Sequence, residues 1–157
     1  MFLQDVFHPE FIKVNLEAED KDEAFEELAD YFCQAGKINI RKDILDALRI
    51  REAKMSTGIR KGIAIPHGST NAVDAIGGVL GISRKGVDYE ALDGEPVFLL
   101  FMIIAPEENV EAHLRILKRL AELLENPQFY MDLQAQKDAE GAYKIICKYE
   151  DMVAALD

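Results

Sequence analysis

The sequence contains no tryptophan, only two cysteines and only three histidines in 157 residues. Cys33 and Cys147 lie far apart with no C-x-x-C spacing, which argues against a zinc knuckle or a disulfide framework and leaves both as small apolar side chains. No apolar run approaches the ~20 residues that span a bilayer, so no stable membrane insertion is expected. The opening "MFLQDVFHPEF" lacks the basic and long apolar regions of a secretory signal, and a cytoplasmic location follows as the expectation. Cationic excess is missing as well: the formal net charge of −11 argues against binding nucleic-acid phosphates. Neither G-x-x-x-x-G-K-[ST] nor a G-x-S-x-G elbow occurs, and "GVLGIS" lacks dinucleotide spacing, so nucleotide and acyl chemistry lose their main support. His8, His67 and His113 show no close ligand spacing, and no metal site is expected.

What is present suits a single domain over residues 1–157, because 49% hydrophobic side chains in a chain of this length can form one compact core. "FIKVNL" alternates Ile12, Val14 and Leu16 with polar residues and reads as a half-buried strand. Phe25, Leu28, Ala29, Phe32 and Cys33 recur at helical spacing, with Gly36 placed to end that helix. A second helix over 41–53 buries Ile44 and Leu48, and Arg51 falls on the same stripe. "GIAIP" and "IGGVLGIS" have the composition of strands, and "VFLLFMIIA" reads as a strand buried on both faces. Beyond it, Val110, His113, Leu114, Leu117, Leu120, Ala121 and Leu124 form an apolar helical stripe, and short helices are expected around 129–136 and 139–148. Strands and helices interleave, which predicts an α/β domain with a mixed β-sheet flanked by helices on both faces.

The stretch "GIRKGIAIPHGST" places His67 at the end of a strand, behind Pro66 and ahead of Gly68, Ser69 and Thr70. Between Arg49 and Lys61 the chain carries Arg49, Arg51, Lys54, Arg60 and Lys61 against Glu52 alone, a positive patch in an acidic protein that suits a small anion. A neutral imidazole can attack phosphorus directly. Such a site needs donors for the phosphoryl oxygens: a fork from Arg51, a ring N–H from His113, and backbone and hydroxyl groups at Gly68, Ser69 and Thr70. Pro66 restricts the chain ahead of the nucleophile, and Gly68 permits close approach behind it. Taken singly, His113 reads as a satisfied core histidine and Arg51 as an arginine snorkelling to water. Two inward histidines and an inward arginine share one explanation in an anion site.

The runs "REAKMSTGIRKGIAIPHG", "DGEPVFLLFMIIAP" and "HLRILKRLAELL" resemble the fructose/mannitol-type enzyme IIA domain of the bacterial phosphoenolpyruvate-dependent sugar phosphotransferase system, a group that includes the nitrogen-regulatory IIA proteins. The resemblance covers nearly the whole chain and implies a mixed sheet sandwiched by helices. It implies a phosphocarrier in which His67 accepts a phosphoryl group from an HPr-type phosphocarrier and passes it to a IIB domain, with Arg51 and His113 at the active site and no cofactor. Arg60-Lys61 stands where many relatives have a small residue or glycine, a departure expected to alter partner docking. A regulatory phosphoprotein of the nitrogen type and a hydrolase or metal enzyme using the same histidines are the competing readings.

Overall fold

The structure is a computed structural model that describes residues 2–156. Its centre is β6 (Val97–Ala105), the uninterrupted apolar run, which is flanked by neighbours on both edges and covered on both faces. Strand alternation sends Leu99, Phe101 and Ile103 into one core and Leu100, Met102 and Ile104 into the other. Burial on both faces explains why the segment has no polar alternation.

Around it lie β1 (Ile12–Leu16), β2 (Gly58–Arg60), β3 (Ile63–Ala64), β4 (His67–Ser69) and β5 (Gly77–Val87), in the order β1-β5-β6-β3-β2, with β4 also paired to β6. β5 runs antiparallel to β6, whereas β3 and β4 run parallel to it, so the expected mixed sheet is present. Helices α2 (Lys21–Gly36) and α3 (Arg41–Glu52) bury Phe25, Leu28, Ile44 and Leu48 on one face. On the other face lie α1 (Leu3–Val6), α4 (Val110–Leu124), α5 (Pro127–Gln134) and α6 (Ala139–Ala154). Cys33 packs on the α2 side, and Cys147 sits on α6 across the sheet. Among the described residues no helix is long and apolar enough to cross a membrane.

β3 and β4 are two pieces of one path along β6, with Ile63 opposite Leu99 and His67 opposite Ile103. Ile65-Pro66 separates them, because proline has no N–H for the ladder. His67 therefore opens a strand rather than trailing one.

Several boundaries differ from the sequence reading. Gly36 is the last helical residue of α2, and Lys37 takes the left-handed turn at φ 54°, with the N–H of Ile38 closing on the Cys33 carbonyl at 3.1 Å. β5 continues past Ser83 to Val87, which pairs with Val97. α6 extends to Ala154, and the short α1 and β2 carry no clear periodic signal. The largest revision is the rotation of α4. Ile116, Leu120 and Leu123 are its buried residues, while Val110, Leu114 and Ala121 face solvent. Leucine occurs on both sides of this helix, so spacing alone admits two apolar faces. His113 precedes Ile116 by one turn and stays on the inward side, half-buried.

Gly68 sets how closely α3 can approach the sheet. A β-carbon there would lie 2.7 Å from the Ala47 carbonyl oxygen and 2.9 Å from the Ala47 side chain. Because the clash is with helix backbone, Gly68→Ala must push α3 outward. It is expected to lower the urea midpoint by an amount equivalent to about 1–3 kcal/mol, the usual cost of overpacking. An unchanged midpoint would refute the close approach.

Candidate functional site

The interrupted strand and the two helices that meet it bring His67, Arg51 and His113 together. His67 opens β4, Arg51 lies in the last turn of α3, and His113 lies in the first turn of α4. All three line one cleft of about 240 Å³, together with Lys54, Gly68 and Ser69. A larger hollow of about 530 Å³ between β1 and α2 is walled by Glu17, Glu23, Glu26 and Glu27, an environment that repels the anion the sequence leads one to expect.

The His67 Nδ1 atom lies 2.7 Å from the Ile65 carbonyl oxygen. A carbonyl can only accept, so Nδ1 carries the proton and Nε2 keeps its lone pair. Burial is the largest influence on this ring and lowers its pKa; the Ile65 carbonyl opposes that, Arg51 adds to it and Glu52 opposes it, leaving the value below 6.5. His113 is also held below 6.5, first by burial and then by His67. The two rings meet edge to face, with centroids 5.6 Å apart and planes at 84°. His113 Nε2 is buried and has no hydrogen-bond partner among the described residues. An orphaned buried ring nitrogen costs about 1–3 kcal/mol, which a bound oxygen would relieve.

Arg51 Nη1 donates to the Met55 carbonyl at 2.8 Å, and among the described residues no carboxylate forms an ion pair with it. Its remaining guanidinium donors are therefore not held by an acid. Of the other cations expected near the site, Lys54 lines the cleft. Arg49 instead lies 4.0 Å from Glu26, and Arg60 and Lys61 line a separate cleft with Leu124 and Tyr130. The positive patch in the sequence is thus divided among three places.

Ser69 reaches the cleft and Thr70 does not. The Thr70 N–H donates to the Ala105 carbonyl at 2.9 Å, and its hydroxyl accepts from the Ala72 N–H at 3.2 Å, so both are used inside the fold. Gly68 serves the site by letting α3 approach. Two backbone acceptors, the carbonyls of Ile65 and Met55, escaped the sequence reading because any residue carries one; Pro66 was the only hint of the first.

Residues 5–149 match the family described as "Phosphoenolpyruvate-dependent sugar phosphotransferase system, EIIA 2". The chain belongs to this family. It is 38% identical over 139 residues to the PTS system fructose-specific EIIABC component of Bacillus subtilis, a match covering 88% of this chain and only 22% of that relative. It is 33% identical over 146 residues to the nitrogen regulatory protein of Bradyrhizobium diazoefficiens, covering 93% of this chain and 95% of the relative. The crystal structure of the nitrogen regulatory protein IIA-Ntr from Neisseria meningitidis superposes with a TM-score of 0.84 at 28% identity, covering 92% of this chain and 98% of that one. The EIIA fold, with its mixed sheet between helical layers, is therefore shared.

The depressed imidazole values of this EIIA chain have a definite consequence for stability. A histidine whose folded pKa lies below its unfolded value contributes stability at high pH, which is lost as pH falls below 6.5 through the folded value. Denaturant unfolding between about pH 8 and about pH 5 should show that decline, spanning the range in which histidine titrates. The His67→Gln/His113→Gln double variant should decline less steeply. Parallel curves would show that neither ring is perturbed.

Proposed function

We propose that His67 Nε2 accepts a phosphoryl group from an HPr-type phosphohistidine carrier and passes it to a IIB domain, as a phosphocarrier in sugar uptake. The observation that carries this reading is the Nδ1–H bond to Ile65, which leaves Nε2 unprotonated in a cleft shared with Arg51 and His113. In the forward step the Nε2 lone pair forms the new P–N bond as the donor's N–P bond breaks, its electron pair returning to the donor ring. The Nδ1 proton stays on His67, and the ring's new positive charge is stabilised by the Ile65 carbonyl. Arg51 and His113 would donate to the equatorial oxygens, so catalysis is positioning plus electrostatics. The step as written draws on no metal or nucleotide.

A carrier also needs a face on which partners can dock. Ile50 is 67% exposed, Met55 59%, Val110 59% and Leu114 60%. Ile50 lines the cleft and Leu114 follows His113, so apolar surface borders the site from both α3 and α4. Such a rim suits transient protein contact around a polar centre. The fructose-specific relative is named for EIIABC together and this chain spans 22% of it, which supports a IIB partner as receiver.

A regulatory reading is supported by the nearly full-length match to a nitrogen regulatory protein. In it the same His67 is phosphorylated, and the added charge of roughly −1.5 to −2 switches the docking face. The two readings differ in where the phosphoryl group goes. Label that moves onto a IIB domain supports the carrier; label retained in its presence supports the regulator.

Four substitutions at three residues test the site in a mixture of enzyme I, HPr and labelled phosphoenolpyruvate. His67→Ala should fold and remain unlabelled, and equal labelling of this variant and wild type would overturn the assignment. Arg51→Lys should be slower despite keeping its charge, because an ammonium cannot give two parallel N–H bonds. His113→Ala should be slower than His113→Gln, by up to the roughly 10²–10³ that one lost oxyanion donor costs. Wild-type rates in both His113 variants, with stability reduced, would return His113 to the core.

A further inference from the structure

Glu52 ends α3 next to Arg51, and its side chain is only 7% exposed. One residue along a helix rotates the side chain by about 100°, so Arg51 can face the cleft while its neighbour turns into the protein. There the carboxylate accepts from Thr57 N–H at 2.8 Å and Thr57 Oγ1–H at 2.6 Å. Lys21 Nζ from α2 lies 3.2 Å away, and the Tyr89 hydroxyl, just beyond β5, reaches it at 3.1 Å and Thr57 Oγ1 at 2.7 Å. Burial is the largest influence on Glu52 and raises its pKa. The Thr57 hydroxyl and N–H, together with Lys21, outweigh it, so the group is held ionised below the ordinary range.

The two bonds to Thr57 close the segment 53–57 into a loop. Inside that loop is Met55, whose carbonyl holds Arg51. Thr57 is tied onward as well: its carbonyl accepts the Ile65 N–H at 3.0 Å, and the Ile65 carbonyl accepts His67 Nδ1–H. The partners that orient Arg51 and His67 therefore both trace back to one carboxylate. We infer that Glu52 is a positioning residue for the phosphoryl site, setting the Arg51 guanidinium through Met55 and the His67 ring through Thr57 and Ile65. This rests on the reading of His67 as the phosphoryl acceptor.

A purely structural ion cluster would make transfer follow stability across every variant of the network. The positioning role separates them. Lys21→Met removes the ion pair and leaves the Glu52–Thr57 closure in place, so it should lower the unfolding midpoint and keep the wild-type labelling rate. Glu52→Gln and Thr57→Val disturb the closure and should slow labelling of His67, toward the order of 100-fold that a displacement of about 1 Å costs. Nitrogen-15 NMR of the unphosphorylated proteins gives an independent reading. Wild type and Lys21→Met should show the His67 ring as the single Nδ1–H tautomer, whereas Glu52→Gln should show a tautomer mixture. Labelling that falls in proportion to stability in all three variants would overturn the proposal, as would an unchanged His67 tautomer in Glu52→Gln. If wild type itself takes no label, the phosphoryl reading fails, and the NMR comparison still decides whether Glu52 orients the ring.

Discussion

The hydrogen bond from His67 Nδ1–H to the Ile65 carbonyl is the constraint on which the site depends. It fixes the tautomer and fixes the ring against rotation, and in the proposed transfer it would stabilise the charge that develops on the imidazole. It forms only because the strand is broken. Pro66 cannot donate to the ladder, so regular pairing along β6 stops at Ala64 and resumes at His67, and across that interruption the His67 ring bonds the carbonyl two residues behind it. A continuous strand would point residues 65 and 67 to the same face, with their carbonyls committed to neighbouring strands.

The rest of the architecture holds that interruption in place. β6 is buried on both faces and pairs with both pieces of the broken strand, so His67, opposite Ile103, is anchored against the central strand of the domain. Gly68 removes the β-carbon that would hold α3 away, and α3 in turn presents Arg51. α4 contributes His113 from the opposite face of the sheet, one turn before its buried Ile116. A cleft whose walls come from both helical layers forms at a margin of the sheet, and β4, paired to β6 alone, provides that margin.

The sequence showed β1, β5, β6 and the inward side of His113 because each is recorded in alternation, an apolar run or helical spacing, whereas β2 and β4 left no such record. The unbroken run of β6, which a helix could also give, reads as a strand through its flanking Pro96 and Pro106, and the alternation in β1 has one economical reading. The α4 stripe did not, since Leu114 and Leu117 compete with Ile116 and Leu123 for the inward face and only packing decides between them. The basic stretch was legible as composition but not as geometry: a turn at Lys61, with φ 48°, followed by Gly62 at 84° carries Arg60 and Lys61 to another cleft. Thr70 looked like a donor because hydroxyls next to a histidine invite that reading, yet sheet pairing at Ala105 takes its N–H. Backbone acceptors are invisible to composition, so Ile65 and Met55 emerge only from the fold.

Arg51 serves two ends at once. Burial does most to lower the proton affinity of the His67 ring and the nearby cation adds to it, and in the proposed transfer the same cation would attract the phosphoryl oxygens. Glu52 is its electrostatic opposite. Facing the imidazole directly, a carboxylate would raise proton affinity, hold the ring as imidazolium and repel the incoming group. In this fold that carboxylate is turned inward onto Thr57, Tyr89 and Lys21, where its charge is spent on hydrogen bonds and reaches His67 only as a small opposing influence. An acidic chain of net charge −11 thus keeps a locally cationic site by facing its adjacent arginine and glutamate in different directions from one helix turn. The 100° step between neighbouring helical residues is what makes that separation possible.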